Sequence, residues 1–225
     1  KKLDHQNRDL EKIVTERTQE VRQQKEEILA QNEELQQQQE EVLVVNENLE
    51  KQSVELQERN TSITDSIRYA QTIQNATLPT KSYQQQMFPN SFVLYRPKDI
   101  VSGDFFWIKH SKNMKFIACV DCTGHGVPGA FMSMIGNNLL NEALDHKQYS
   151  EPSQILNYLH ENIRTRLNQI ESKNSDGMDI GICRFEKTEN GETKMIYAGA
   201  KGIIYFVQNN VIATLKGDRK SIGGR

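Results

Sequence analysis

Two acidic residues stand where a carboxylate could be presented by a rigid element. Asp104 lies in Val101-Ser102-Gly103-Asp104-Phe105-Phe106-Trp107, and Asp121 ends the apolar run 116–120, seventeen positions later. That separation suits an antiparallel hairpin whose two far ends meet, with residues 105–109 running out, 115–120 running back and a polar turn between. Two carboxylates then share one sheet end. Like charges so placed repel unless a cation lies between them, and ligation by oxygen alone suits Mg²⁺ or Mn²⁺. Divalent ions held in this way can lower the pKa of a bound water and stabilise charge on the oxygens of a phosphoryl group. No Ser/His/Asp or reactive-cysteine arrangement competes as a protein nucleophile.

The elements that must position these acids can be read outward from Asp121. Cys122-Thr123-Gly124-His125-Gly126-Val127-Pro128-Gly129 is a glycine-punctuated bend that shapes the loop, followed by an amphipathic helix with Phe131, Met134, Ile135, Leu139 and Ala143 on its apolar face. A second helix is expected over 152–170 with Ile155, Leu159, Ile163 and Leu167, both helices covering one face of a sheet. Strands are expected over 178–186, 193–198, 203–207 and 211–215, with Asn190-Gly191 and Asn209-Asn210 as hairpin turns. Upstream, 80–90 reads as a polar loop and 92–96 as a strand. Phe105 and Trp107, two apart on one strand, read as core. Cys119 and Cys122 form C-x-x-C with His125 nearby, but no second ligand pair exists, and residues three apart on a strand face opposite sides, which argues against zinc. His125 is a candidate proton donor to a leaving oxygen or an orienter of the loop.

The first part of the chain is a different kind of object. All thirteen glycines lie at or after Gly103, and no proline precedes Pro79. Residues 1–60 carry 15 acids and 9 Lys/Arg, a net charge of −6, against +4 for the rest. This balance excludes the concentrated basic face of a nucleic-acid binder. From Val14 an apolar residue recurs every seven positions: Val21, Ile28, Leu35, Val42, Leu49, Leu56 and Ile63. A strict seven-residue period predicts a coiled coil, and the Asn residues among its companion positions favour a parallel homodimer in register. A helical pattern through Ile63, Ile67, Ala70, Ile73 and Gln74 continues to Leu78-Pro79, where proline stops it. No apolar run approaches the ~18 residues of a membrane span. Three cysteines fit a reducing compartment, hence a cytoplasmic location, with a parent chain that could still be membrane-tethered.

Five segments in order, SGDFFW, VDCTGHGVPGAFMSMIG, DGMDIGICRFE, YAGAKGIIYFV and KGDRKSIGG, make the chain from about Ile63 onward similar to the metal-dependent protein serine/threonine phosphatases (the PPM superfamily), in their bacterial sporulation-phosphatase (SpoIIE) branch. The resemblance implies an α+β fold: a long N-terminal coiled-coil helix, then β-sheets flanked by helices. Together with the seven-residue repeat it divides the chain into a coiled-coil signalling helix (1–62), a linker or switch helix (63–79) and a phosphatase domain (80–225). It implies a phosphoester hydrolase, acting through metal-activated water as the output of a bacterial signalling protein. Two ions, Mn²⁺ or Mg²⁺, would be held by Asp104 and Asp121, with the backbone carbonyl of Cys122 and a further acid. Asp179 is the candidate for that acid, with Asp176 its near competitor, whereas Asp218 reads as loop. Implied partners are a phosphoprotein, such as an anti-sigma-factor antagonist, and an upstream sensor domain.

In the family, further strands follow the segment matching KGDRKSIGG, one of them with a metal-site aspartate. The domain is therefore expected to be C-terminally incomplete, and this piece weak or inactive alone although its parent is an enzyme. The alternatives are a dimeric docking module without catalysis, and a diguanylate cyclase, which SGDFF superficially suggests. Against the cyclase, position 105 is Phe where its GGDEF motif has an acid.

Overall fold

A computed structural model describes residues 2–224. The chain divides into two compact units, Lys1–Ser62 and Ile63–Arg225. The helix α1 (Lys2–Thr77) supplies all of the first unit described and the start of the second. In the first unit every residue with a described side chain is exposed, including all the seven-residue-repeat positions it contains. Glu47–Lys51 and Glu55–Arg59 form ion pairs one helical turn apart, at 3.0 and 2.6 Å, in the order that favours a helix.

In the second unit α1 ends at Thr77, ahead of Pro79. The positions it buries differ from those the apolar pattern suggests. Ile63 and Ile73 are exposed, Ile67 is half-buried, and the one fully buried residue is Gln74. The expected loop at 80–90 contains a short helix, α2 (Lys81–Met87). Thr80 caps it through its hydroxyl, which accepts from the Tyr83 N–H at 3.2 Å. Its polar composition hid it, since the residue it buries is Gln84, whose amide donates to Ser91 Oγ at 3.1 Å. The expected strand at 92–96 has no ladder, and Phe92 and Leu94 face solvent.

The hairpin at the centre forms as its spacing predicts. Strand β1 (Phe105–Ser111) pairs antiparallel with β2 (Met114–Cys122), setting Phe105 opposite Val120. After β2 come α3 (Gly126–Asp145) and α4 (Pro152–Arg166), then β3 (Gly177–Lys187) and β4 (Thr193–Ala200). The main sheet runs β1-β2-β3-β4, with the two-residue β7 (Ile222–Gly223) also on β3. A separate hairpin joins β5 (Ile203–Gln208) and β6 (Val211–Lys216). Its turn has Asn209 and Asn210 at φ of 52° and 60°, the left-handed pair that suits a two-residue hairpin loop.

One face of the sheet is closed by α3 and α4. Phe105, Trp107, Phe116, Ala118, Val120, Met178, Ile180 and Ile182 point to it and pack with Leu139, Leu140, Ala143, Ile155, Leu159 and Ile163. Burying each large aliphatic side chain here contributes roughly 1.5–3 kcal/mol. The helix α3 is set differently from expectation. Phe131, taken as core, is 65% exposed, while Met132, Gly136, Leu139, Leu140 and Ala143 form the buried stripe. Position 136 carries no apolar signal, yet a Cβ there would come within 2.8 Å of Met178 Cε and 3.1 Å of Phe105 Cζ, so a larger residue would have to displace the Met178 side chain.

Candidate functional site

Alternation along a strand sends odd and even positions to opposite faces. On β2, Phe116, Ala118, Val120 and Cys122 turn to the helices, so Asp121 turns the other way. On β3, Met178, Ile180 and Ile182 face the helices, so Asp179 shares the open face with Asp121. The register makes Asp121 and Asp179 direct cross-strand partners. Asp104 immediately precedes β1, whose Phe105 is opposite Val120, which brings it beside Asp121 from the other flank. Three acids therefore form a row across one sheet end, on the side that α3 and α4 leave uncovered. They line a groove of about 690 Å³ together with Tyr95, Arg96, Phe106 and Lys201.

The carboxyls of Asp104 and Asp121 are close enough to interact strongly. That of Asp104 is held above the usual carboxylate range, first by burial and then by the charge of Asp121 and a hydrogen bond to it. A carboxyl disfavoured as an anion by burial and a neighbouring acid marks a place where a divalent cation could offset the charge. The two carboxyls offer oxygen alone, which fits Mg²⁺ or Mn²⁺ with water completing the shell. The pair is not a finished cage, because among the described residues no three His, Cys, Asp or Glu groups converge as a metal-holding cluster. Asp179 is engaged elsewhere. Its Oδ1 accepts from Ser221 Oγ at 2.6 Å and lies 3.7 Å from Lys201 Nζ.

The other candidates separate cleanly. Both oxygens of Asp176 are occupied, Oδ1 by the hydroxyl of Thr123 just past β2 at 3.1 Å and Oδ2 by the Asn174 amide of its own loop at 2.8 Å. Thr123 in turn accepts from the Gly177 N–H, so Asp176 ties the end of β2 to the start of β3. His125 Nδ1 lies 2.8 Å from Asp99 Oδ2, which ties the bend to the segment that leads into β1. Cys122 is buried and its thiol is pushed far up by burial and the two nearby acids, so it is no thiolate ligand here. Cys119 faces the opposite side and is exposed. Asp218 bridges to Ala200 through its backbone and belongs to the loop.

Close backbone approach sets the geometry around the pair. The Gly103 loop lies against the bend after β2, where a Cβ on Gly103 would be 2.8 Å from Gly124 O and one on Gly129 would be 2.7 Å from the same oxygen. Polar side chains finish the support. Gln74 Nε2 donates to Ser102 O at 2.6 Å and Ser133 Oγ at 2.8 Å, while its Oε1 accepts from the Ser102 N–H at 3.0 Å. Ser102 Oγ accepts from the Asp104 N–H at 3.0 Å, and Tyr95 Oη donates to Asp104 O at 3.2 Å. Gln74 stands in the helical pattern read through 63–74, but nothing in that pattern marks it as the one residue there that is fully buried. Nothing local marks Ser221, which reaches Asp179 only through the pairing of β7 with β3.

No family model and no curated protein matches the chain. Among solved structures it is similar to the SiaA-PP2C domain of Pseudomonas aeruginosa, at 31% identity and a TM-score of 0.63 over 73% of this chain. The chain spans 64% of that structure's length. A structure titled for the bacterial stressosome, as a modular system adapted to control secondary messenger signaling, is similar at 19% identity and a TM-score of 0.43 over 56% of this chain and 58% of its own, a likeness too slight to argue from. The five segments, the sheet with its two covering helices and the likeness to SiaA-PP2C agree, and the chain carries a PP2C-type phosphatase domain.

Proposed function

We propose that residues 80–225 are the catalytic part of a SpoIIE-type protein serine/threonine phosphatase, with 63–79 as its linker helix and 1–62 as a signalling coiled coil in a bacterial, cytoplasmic output protein. In this reading Asp104 and Asp121 are the catalytic, metal-holding carboxylates, aided by the Cys122 carbonyl, and Asp179 is a further ligand once released from Ser221. Bound divalent ions, Mn²⁺ or Mg²⁺, would supply an activated water and offset charge on the phosphoryl oxygens. The chain's own contribution is placement: Gly103 and Gly129 let the two loops close on each other, while Gln74, Ser102 and Tyr95 fix the backbone that carries Asp104. The observation that carries the proposal is the row Asp104, Asp121, Asp179 on the open face of the sheet. The substrate class is a phosphoserine or phosphothreonine on another protein, with an anti-sigma-factor antagonist as the candidate.

The test is calorimetry with Mn²⁺ on the wild type and Asp121→Asn, paired with dephosphorylation of a phosphoprotein by the intact parent with and without Mn²⁺. We expect the variant to lose binding while keeping its fold. Unchanged affinity would refute the metal assignment, and metal-independent turnover would refute the mechanism.

The same reading makes the helix a parallel homodimer through residues 14–63. The repeat positions there are 54–62% exposed in the single chain, a continuous apolar stripe that a second copy would cover. Sedimentation should give a dimer, dissociated by polar replacement of Leu35 and Leu49. A monomer at tens of micromolar would end this part of the proposal.

A further inference from the structure

Lys201, between β4 and β5, has a φ of 52°, in the left-handed region where glycine or asparagine sits with less strain. Its backbone cannot relax out of that state. The Lys201 N–H donates to Asp218 O at 2.7 Å, the Asp218 N–H to Gly199 O at 2.8 Å and the Gly217 N–H to Gly202 O at 2.9 Å. Lys201 also bridges in parallel to Ile180, and a Cβ on the following Gly202 would stand 2.5 Å from Ile180 O. The chain is thus pressed onto β3 one residue past Asp179, and an ammonium is delivered to the acid row.

That ammonium is only loosely engaged. It lies 3.7 Å from Asp179 Oδ1, beyond hydrogen-bond distance, and that oxygen already accepts from Ser221 at 2.6 Å. The Lys201 side chain is 49% exposed and lines the same groove as Asp104 and Asp121. Lys109 is the contrast, committed to Asp145 at 2.8 Å. Strain at a fixed position, a charge without a full partner and a place in the acidic groove together call for a ligand with negative charge of its own.

Resting on the phosphatase reading, we propose that Lys201 binds the substrate's phosphoryl group, its ammonium donating to a phosphoryl oxygen beside the carboxylates that hold metal. An ammonium on a flexible stem suits this task as a point charge with three donors.

The experiment uses the full chain, with inorganic phosphate as the probe. Phosphate affinity is measured by phosphorus NMR in millimolar Mg²⁺, and Mg²⁺ affinity is measured separately by calorimetry. Three proteins are compared: wild type, Lys201→Asn, which tolerates the left-handed backbone, and Lys201→Arg, which keeps the charge. We expect Lys201→Asn to lose about tenfold or more in phosphate affinity, roughly 1.4 kcal/mol, with Mg²⁺ binding and melting temperature retained. Lys201→Arg should stay close to wild type. Unchanged phosphate affinity in Lys201→Asn, with Mg²⁺ still bound, overturns the role of Lys201 and leaves the metal reading intact. Failure of the wild type to bind Mg²⁺ overturns the metal reading, and this inference with it.

Discussion

The two faces of the main sheet are made from alternate residues of the same strands and have opposite characters. Toward α3 and α4 stand Phe116, Ala118, Val120, Ile180 and Ile182, packed to near-zero exposure. Toward the groove stand Cys119, Asp121, Asp179 and Gly181, small or charged and partly open. The covered face supplies cohesion, and the open face is left to hold charges that a stable core would reject. A strand that must serve both ends cannot slip by one residue, because a slip would exchange the two sets. The cohesion of one face therefore fixes the register that aligns the acids on the other.

The sharpest way to break this comparison is to remove bulk from each face in turn. Leu159→Ala on the covered face should cost about 2–5 kcal/mol, since Leu159 is fully buried and a cavity would remain. Ile117→Ala on the open face should cost a small fraction of that. Denaturant midpoints compare them, and equal losses would mean that the open face is also packed in solution.

A smaller effect is expected where α1 meets the loop that leads into β1. Gln74→Ala leaves the Ser102 N–H and carbonyl without their buried partner, which should cost about 1–3 kcal/mol. Hydrogen exchange should show loss of protection at the Ser102 amide with β3 unaffected. Equal loss throughout the sheet would mean that Gln74 serves general packing.

The smallest effect sharpens the comparison by reversing the usual sign. Because burial and Asp121 raise the Asp104 pKa, its folded form holds a proton more tightly than its unfolded form. Its contribution to stability is thus fully present below the unfolded carboxylate value and is lost as pH rises through the folded one. With metal chelated, Asp104→Asn should melt slightly above wild type near neutral pH, and the gap should close in mild acid. A variant less stable than wild type at neutral pH would show that the two carboxyls do not oppose each other.

How much of this could be read beforehand depends on which residues carry the signal. The β1–β2 hairpin was legible because alternation, a polar turn and an acid at each end all agree. The burial of Ile155, Leu159 and Ile163 was legible because three aliphatic residues mark one helix face. The face of α3 was legible only in part: Leu139 and Ala143 are buried as expected, but Gly136 and Asn137 also define it and neither adds to an apolar count. The strand expected at 92–96 failed for the converse reason: Phe92 and Leu94 supply an alternating apolar pattern with no ladder to join. Asp104 and Asp121 could be paired by counting along one hairpin. The place of Asp179 needs the pairing of β2 with β3 across two intervening helices, which counting cannot supply. Lys201 was invisible for the same reason.

The bonding of Gln74 has a consequence for how the chain can vary. Its side-chain amide engages both the N–H and the carbonyl of Ser102, so it pairs with that residue as a peptide group of a neighbouring strand would. Such pairing reads main chain and is indifferent to the side chain at 102 as far as these two bonds are concerned. It is exacting about length, because asparagine would fall one methylene short of the same backbone. Drift at position 102 could therefore keep both bonds to Gln74 while losing the hydroxyl that accepts from the Asp104 N–H, whereas the most conservative-looking exchange at position 74 would open the joint itself.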